Sequence, residues 1–268
     1  MSKSTLPTTK KKRRSWRDMM GALGRAHSKA SVNLESSQPL LQHLNELRQR
    51  IFKAFAAVII TTALSFIFAQ QMIDYLATPI GGRVGLVSIE ITENMAIFMR
   101  VALLGGIILG MPVIVYQLMR FLLPGLKKRE KLWLILGVPL ATLLFVSGVA
   151  FTWFVMIPSA VPFLVNFMDI RTQVRPSNYF QFITNLMFWI GLCFEMPLVM
   201  MFLAKLKFVT ARQLAKGWRY AIVVMAVVAA AVTPTVDPVN MGLVMLPLMG
   251  LYVISIILAA VAGKSRNG

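Results

Sequence analysis

Long apolar runs separated by short charged connectors organise this chain of 268 residues. A helix needs about 20 residues to cross ~30 Å of hydrocarbon, and several of the runs are that long. The first, from about Ile51 to Ala69, carries Val58, Ile59, Ile60, Leu64 and Phe66 with no interior charge. Residues 70 to 94 then mix Asp74, Pro79, glycines, Arg83, Glu90 and Glu93, a pattern of turns and short amphipathic pieces in an ordered outer loop. A second span runs from about Met95 to Leu118. Its Arg100 lies near the outer end, where the side chain can snorkel, and Gly105, Gly106 and Gly110 permit close helix contact.

The third run carries no charge from Leu132 to Met168, and those 37 residues would make a helix ~55 Å long. Pro158 and Pro162 are its natural breakers, so the span is expected at 132–157, with residues 158–178 outside. A fourth span at 179–203 holds Asn185 and Glu195, followed by Pro197. The fifth, 220–232, is short for a bilayer, and the sixth, 239–262, contains Pro247. The segment Thr233–Pro238 between them reads as a tight outer turn. Residues 1–38 are polar and basic and read as a disordered tail preceding a membrane domain at 39–268.

Charge gives the chain its orientation. The net charge is +18, and 24 of the 28 Lys and Arg residues fall in the blocks 1–53, 120–131, 205–219 and 264–266. Those blocks share one side if there are six crossings, which the positive-inside rule makes the cytoplasmic side, with both termini there. The same distribution argues against nucleic acid as the partner, because the cations alternate with spans instead of forming one patch. The run KKKRRSWR at 10–17 lacks the apolar stretch and cleavage site of an export signal and reads as a solvated tail near anionic lipid.

Catalytic chemistry has little to build on. A lone Cys193, only two histidines and no HExxH exclude a zinc or redox centre, and the Gly263–Lys264–Ser265 run lacks the rest of a phosphate loop. No enzyme, no metal and no cofactor are expected. Three acids stand out. Glu130 lies among Lys127, Lys128, Arg129 and Lys131, and Glu46 lies among His43, Arg48 and Arg50, each just before an apolar run. A carboxylate at the membrane surface can accept the fork of an arginine, and two of them make a reader for two arginines. Glu46 also has Arg50 four residues on, an ordinary helical ion pair. Glu195 stands inside a span, where a charge costs ~2.5 to 3.5 kcal/mol on insertion scales, so it is expected to be neutral or to meet a polar partner.

The stretches PVIVYQLMRFLLPGLKKRE (112–130) and HLNELRQR (43–50) resemble the TatC family, the polytopic subunit of the twin-arginine protein translocase. Glu93 to Arg100, GVAFTWFVMIP (148–158), FEMP (194–197) and TPTVDP (233–238) agree with it in order, so the resemblance spans residues 39–263. It implies an all-α, glove-shaped bundle of six transmembrane helices with cytoplasmic termini, short final helices and no catalysis. It implies a receptor for the paired arginines of folded export substrates, driven by the proton gradient across the cytoplasmic membrane. Signal-peptide contacts then fall on Glu46, Glu130 and Phe121, with Arg48 in the same motif. Glu195 is implicated in contacts with small single-span subunits of the TatA and TatB type, and Pro79 and Asp237 mark the outer loops. A homo-oligomer within a receptor complex is expected. Four places after Asp237, where a polar residue is common in the family, this chain has Met241, with Asn240 beside it. The alternative reading is a proton-coupled secondary transporter using Glu195. It is disfavoured because no paired halves with broken helices and no second intramembrane acid are evident.

Overall fold

The computed structural model describes residues 44–83, 86–122, 131–166, 174–206, 208–232 and 238–264, and all of its regular structure there is helical. Contacts divide the chain at Arg50 into a short N-terminal unit and a compact unit from Ile51 onward. The elements are α1 (Leu44–Ser65) and α2 (Ala69–Leu76), then α3 (Glu93–Leu122), α4 (Lys131–Phe151), α5 (Ile157–Val165) and α6 (Pro176–Phe194). They continue with α7 (Met196–Lys205), α8 (Ala211–Lys216), α9 (Trp218–Val232) and α10 (Pro238–Lys264).

Among the described residues, four helical stretches are long and apolar enough to cross a bilayer: 93–121, 136–165, 176–205 and 241–262. The pair α1 and α2, bent by 76° at residues 66–68, supplies a fifth, and α9 is a shorter apolar helix of 15 residues. Helix α1 begins at least seven residues before the apolar run at Ile51, because the polar turn 44–50 is itself helical and pinned by a Glu46–Arg50 pair. Past the bend, α2 and a 3-10 turn at Thr78–Ile80 supply the short amphipathic piece and the turn expected of this segment. Gly81 and Gly82, at φ 83° and 86°, turn the chain away.

The expected break at Pro158 does not occur. Helix continues through Pro158 and Pro162 to Val165 because residues 152–156 form a wider π turn, in which the Ile157 N–H reaches back to the Thr152 carbonyl. Widening that turn makes room for a proline ring that would clash in an ordinary α turn, and the Ser159 hydroxyl donates to the Val155 carbonyl at 2.9 Å. The fourth span remains one crossing but carries a single turn residue. Glu195 sits in a turn between α6 and α7, and Pro197 lies in the first turn of α7, so the carbonyl it would have bonded loses its donor.

Apolar burial does little to drive helix association inside a lipid bilayer, so close approach and interhelical hydrogen bonds carry the packing. Helix α1 lies against the glycines of α3, where the Thr61 Oγ1 donates to the Gly106 carbonyl at 2.7 Å. The Tyr179 hydroxyl donates to the Leu76 carbonyl at 2.8 Å, tying α6 to α2. The Tyr252 hydroxyl donates to the Leu214 carbonyl at 2.6 Å, tying α10 to α8. One core joins α2, α3, α5, α6, α9 and α10 around Ile157, Phe180 and Ile183. A second joins α3, α4 and α7 around Phe145 and Leu198.

Candidate functional site

Glu46 projects from the first turns of α1, and its Oε1 accepts from the Arg50 Nε at 3.1 Å and Nη2 at 2.5 Å. The ordinary i,i+4 pair is therefore formed, and it leaves the Glu46 side chain 36 % exposed while Arg50 is nearly covered. The carboxylate is held in one orientation by a guanidinium, which is also the chemistry of a peptide arginine. Arg48, two residues along, is exposed. Phe121 is half-buried in the last turn of α3, one residue after Arg120, whose guanidinium stacks over the Tyr116 ring. Glu130 and Asp237 lie outside the described residues. Nothing is therefore seen of the pairing between Glu46 and Glu130 expected from the sequence.

Glu195 is 8 % exposed, close to Phe145 of α4, and its Oε1 has no hydrogen-bond donor among the described residues. Among the described residues it is the one acid in the middle of a span. Pro79 sits in the 3-10 turn and lines a groove with Pro162 and Asn166 of the α5 end. No group of three or more His, Cys, Asp or Glu side chains among the described residues could hold a metal ion.

Two polar arrangements were not read from the sequence. The first is a clamp between the heads of α3 and α6. Glu93, 3 % exposed, begins α3, and its Oε1 accepts from the Ser177 N–H at 2.8 Å and the Arg175 Nε at 3.2 Å. Its Oε2 accepts from the Ile89 N–H at 3.0 Å and the Ser88 hydroxyl at 3.2 Å. Arg175 also reaches Glu90 at 2.7 Å, and its bonds to Glu90 and then Glu93 raise its pKa further above the ordinary arginine value. The acid at the head of α3 and the Arg–Pro pair at the head of α6 were visible in the sequence, but they stand 82 residues apart, and nothing linear joins them. The second is a cleft against α6 lined by Asn178, Gln181 and Asn185.

A family model described as "Sec-independent protein translocase protein (TatC)" matches residues 42–247. The chain belongs to the TatC family. It is 35 % identical over 215 residues to the Sec-independent protein translocase protein TatC of Synechocystis, covering 80 % of this chain and 84 % of that protein. To TatCy of Bacillus subtilis it is 34 % identical over 232 residues, 85 % of this chain and 91 % of the relative. A crystal structure of the twin-arginine translocase receptor TatC superposes with a TM-score of 0.73 at 33 % identity, covering 82 % of this chain and 99 % of that one. Membership settles the class of work. The TatC-family chain is a multi-pass membrane component of a protein-translocating complex, a transport protein and not an enzyme.

Proposed function

We propose that this chain captures the paired arginines of export signals at the cytoplasmic face of the plasma membrane, one guanidinium on Glu46 and the other on Glu130. The observation that carries the reading is the Glu46–Arg50 contact: the carboxylate already accepts a guanidinium at the polar end of a transmembrane helix. Glu130 directly precedes α4 in the sequence, in a connector as basic as the stretch around Glu46. The peptide's apolar segment then enters the bilayer beside the bundle, with Phe121 and Arg48 flanking the docking surface. Both termini are cytoplasmic in this reading, and transport draws on the proton gradient.

Two forked, charge-assisted contacts explain a preference for arginine over lysine, whose ammonium is a point donor that cannot match two carboxylate oxygens in a plane. Small single-span subunits of the TatA and TatB type dock around Glu195, and several copies of the receptor assemble in the loaded complex. The test is binding of one signal peptide, in RR and KK versions, to purified protein in nanodiscs. A hydrogen bond to a charged group contributes ~1.5 to 3 kcal/mol, so Glu46→Gln and Glu130→Gln should each weaken the RR peptide by roughly tenfold to a hundredfold. Equal affinity of wild type and either variant would refute the assignment of that acid.

A further inference from the structure

A cleft of about 580 Å³ runs down one side of α6, walled by the ends of α5 and α9. Its mouth is marked by Arg175, immediately before α6, and by Val165 and Val232, the last residues of α5 and α9. Its inner part is lined by Asn178, Gln181 and Asn185. These three exposed amides recur at helical spacing on one face of α6, and none has a hydrogen-bond partner among the described residues. Asn185 lies nine residues past Pro176, ~14 Å along the helix axis and close to half of the hydrocarbon thickness.

Acyl chains filling this cleft would leave six donors and three carbonyl acceptors of the amides unpaired, which hydrocarbon tolerates poorly. Water satisfies them without any further protein. Most of the lining is apolar, but Arg175 and the three amides give ordered water polar partners along the α6 side. Helix α9 is only 15 residues long and ends at the cleft. We infer that the α5–α6–α9 cleft is a water-filled vestibule open to the outer side of the membrane, with Asn185 near its floor. The apolar barrier along this line is then about half that of the surrounding bilayer, on the side of the membrane opposite to the proposed arginine-binding acids.

The inference depends on the chain spanning the membrane and not on capture of paired arginines. It can be tested by placing single cysteines at Asn178, Gln181, Asn185 and, as a lipid-facing control on the same helix, Leu192, in a full-length Cys193→Ala background. Sealed vesicles with the termini inside are treated with a charged, membrane-impermeant maleimide. Only a thiolate reacts and a thiol ionises only where it is hydrated, so the three cleft positions should label at rates within about tenfold of one another, and Leu192→Cys about a hundredfold more slowly or not at all. Labelling after unfolding in detergent establishes that every thiol is reactive. Asn185→Cys that resists the reagent in the folded protein yet labels after unfolding would overturn the vestibule. So would labelling of that position only in vesicles of inverted orientation. Loss of peptide binding in Glu46→Gln leaves the labelling pattern unchanged, so the two ideas fail separately.

Discussion

At the scale of single residues, the described acids differ in how completely the chain satisfies them. Glu93 accepts from three backbone N–H groups, a hydroxyl and a guanidinium, whereas the Glu90 side chain meets only Arg175 among the described residues and is 63 % exposed. Removing Glu93 leaves the part-buried Ser177 N–H without its acceptor, while removing Glu90 returns its partner to water. Glu93→Ala should therefore lower the melting temperature in detergent clearly more than Glu90→Ala, with Glu93→Gln in between. Equal losses for the two alanine variants would show that the clamp is not a structural tie. Arg50 raises a different question, since it occupies the oxygen that a signal arginine is proposed to take. A helical pair of this kind is worth only ~0.3 to 0.5 kcal/mol, so Arg50→Gln should strengthen RR-peptide binding by about twofold. A tenfold loss would mean instead that Arg50 orients the carboxylate.

At the scale of elements, what the sequence made legible was the apolar content and the small residues, and what it hid was the connection between turns. Gly105, Gly106 and Gly110 were readable as a contact face, and they meet Ser65, Thr62 and Thr61 of α1. Pro158 was read as a stop because proline ends a regular α-helix, but the compensating π turn depends on the packing of Thr152 and Met156, both buried. Glu93 and Arg175 could not be paired from linear spacing, nor could the amides of α6 be assigned to one cleft before α5 and α9 were placed beside them. The glycine contact yields a contrast of sign. A Cβ on Gly106 would lie 2.6 Å from the Thr62 Cα, a backbone atom that cannot yield, while one on Gly250 meets nothing within 4 Å. Gly106→Ala should destabilise by ~1 to 3 kcal/mol through overpacking, and Gly250→Ala should be neutral or stabilise by up to ~1 kcal/mol through helix propensity. Thermal unfolding of both variants in one detergent decides it, and a tolerated Gly106→Ala would mean that α1 and α3 do not approach this closely.

At the scale of the whole molecule, Glu195 is the feature that a finished, self-sufficient bundle would not retain. It occupies the turn between α6 and α7, is almost fully covered, and has an oxygen with no donor among the described residues. Replacing such a group by an apolar one relieves an unsatisfied acceptor, so the isolated subunit should lose nothing and even gain stability from Glu195→Ala. Its retention then makes sense through a donor supplied by another chain, as in the proposed docking of single-span subunits. The variant should fold, bind the RR peptide with unchanged affinity, and fail to co-purify with those subunits. Co-purification at the wild-type level would remove Glu195 from the docking surface. A marked drop in melting temperature would point to an internal partner for the carboxyl, making the residue structural. The three readouts separate because peptide capture is assigned to acids at the polar helix ends, while assembly is assigned to the one acid in the middle of a span.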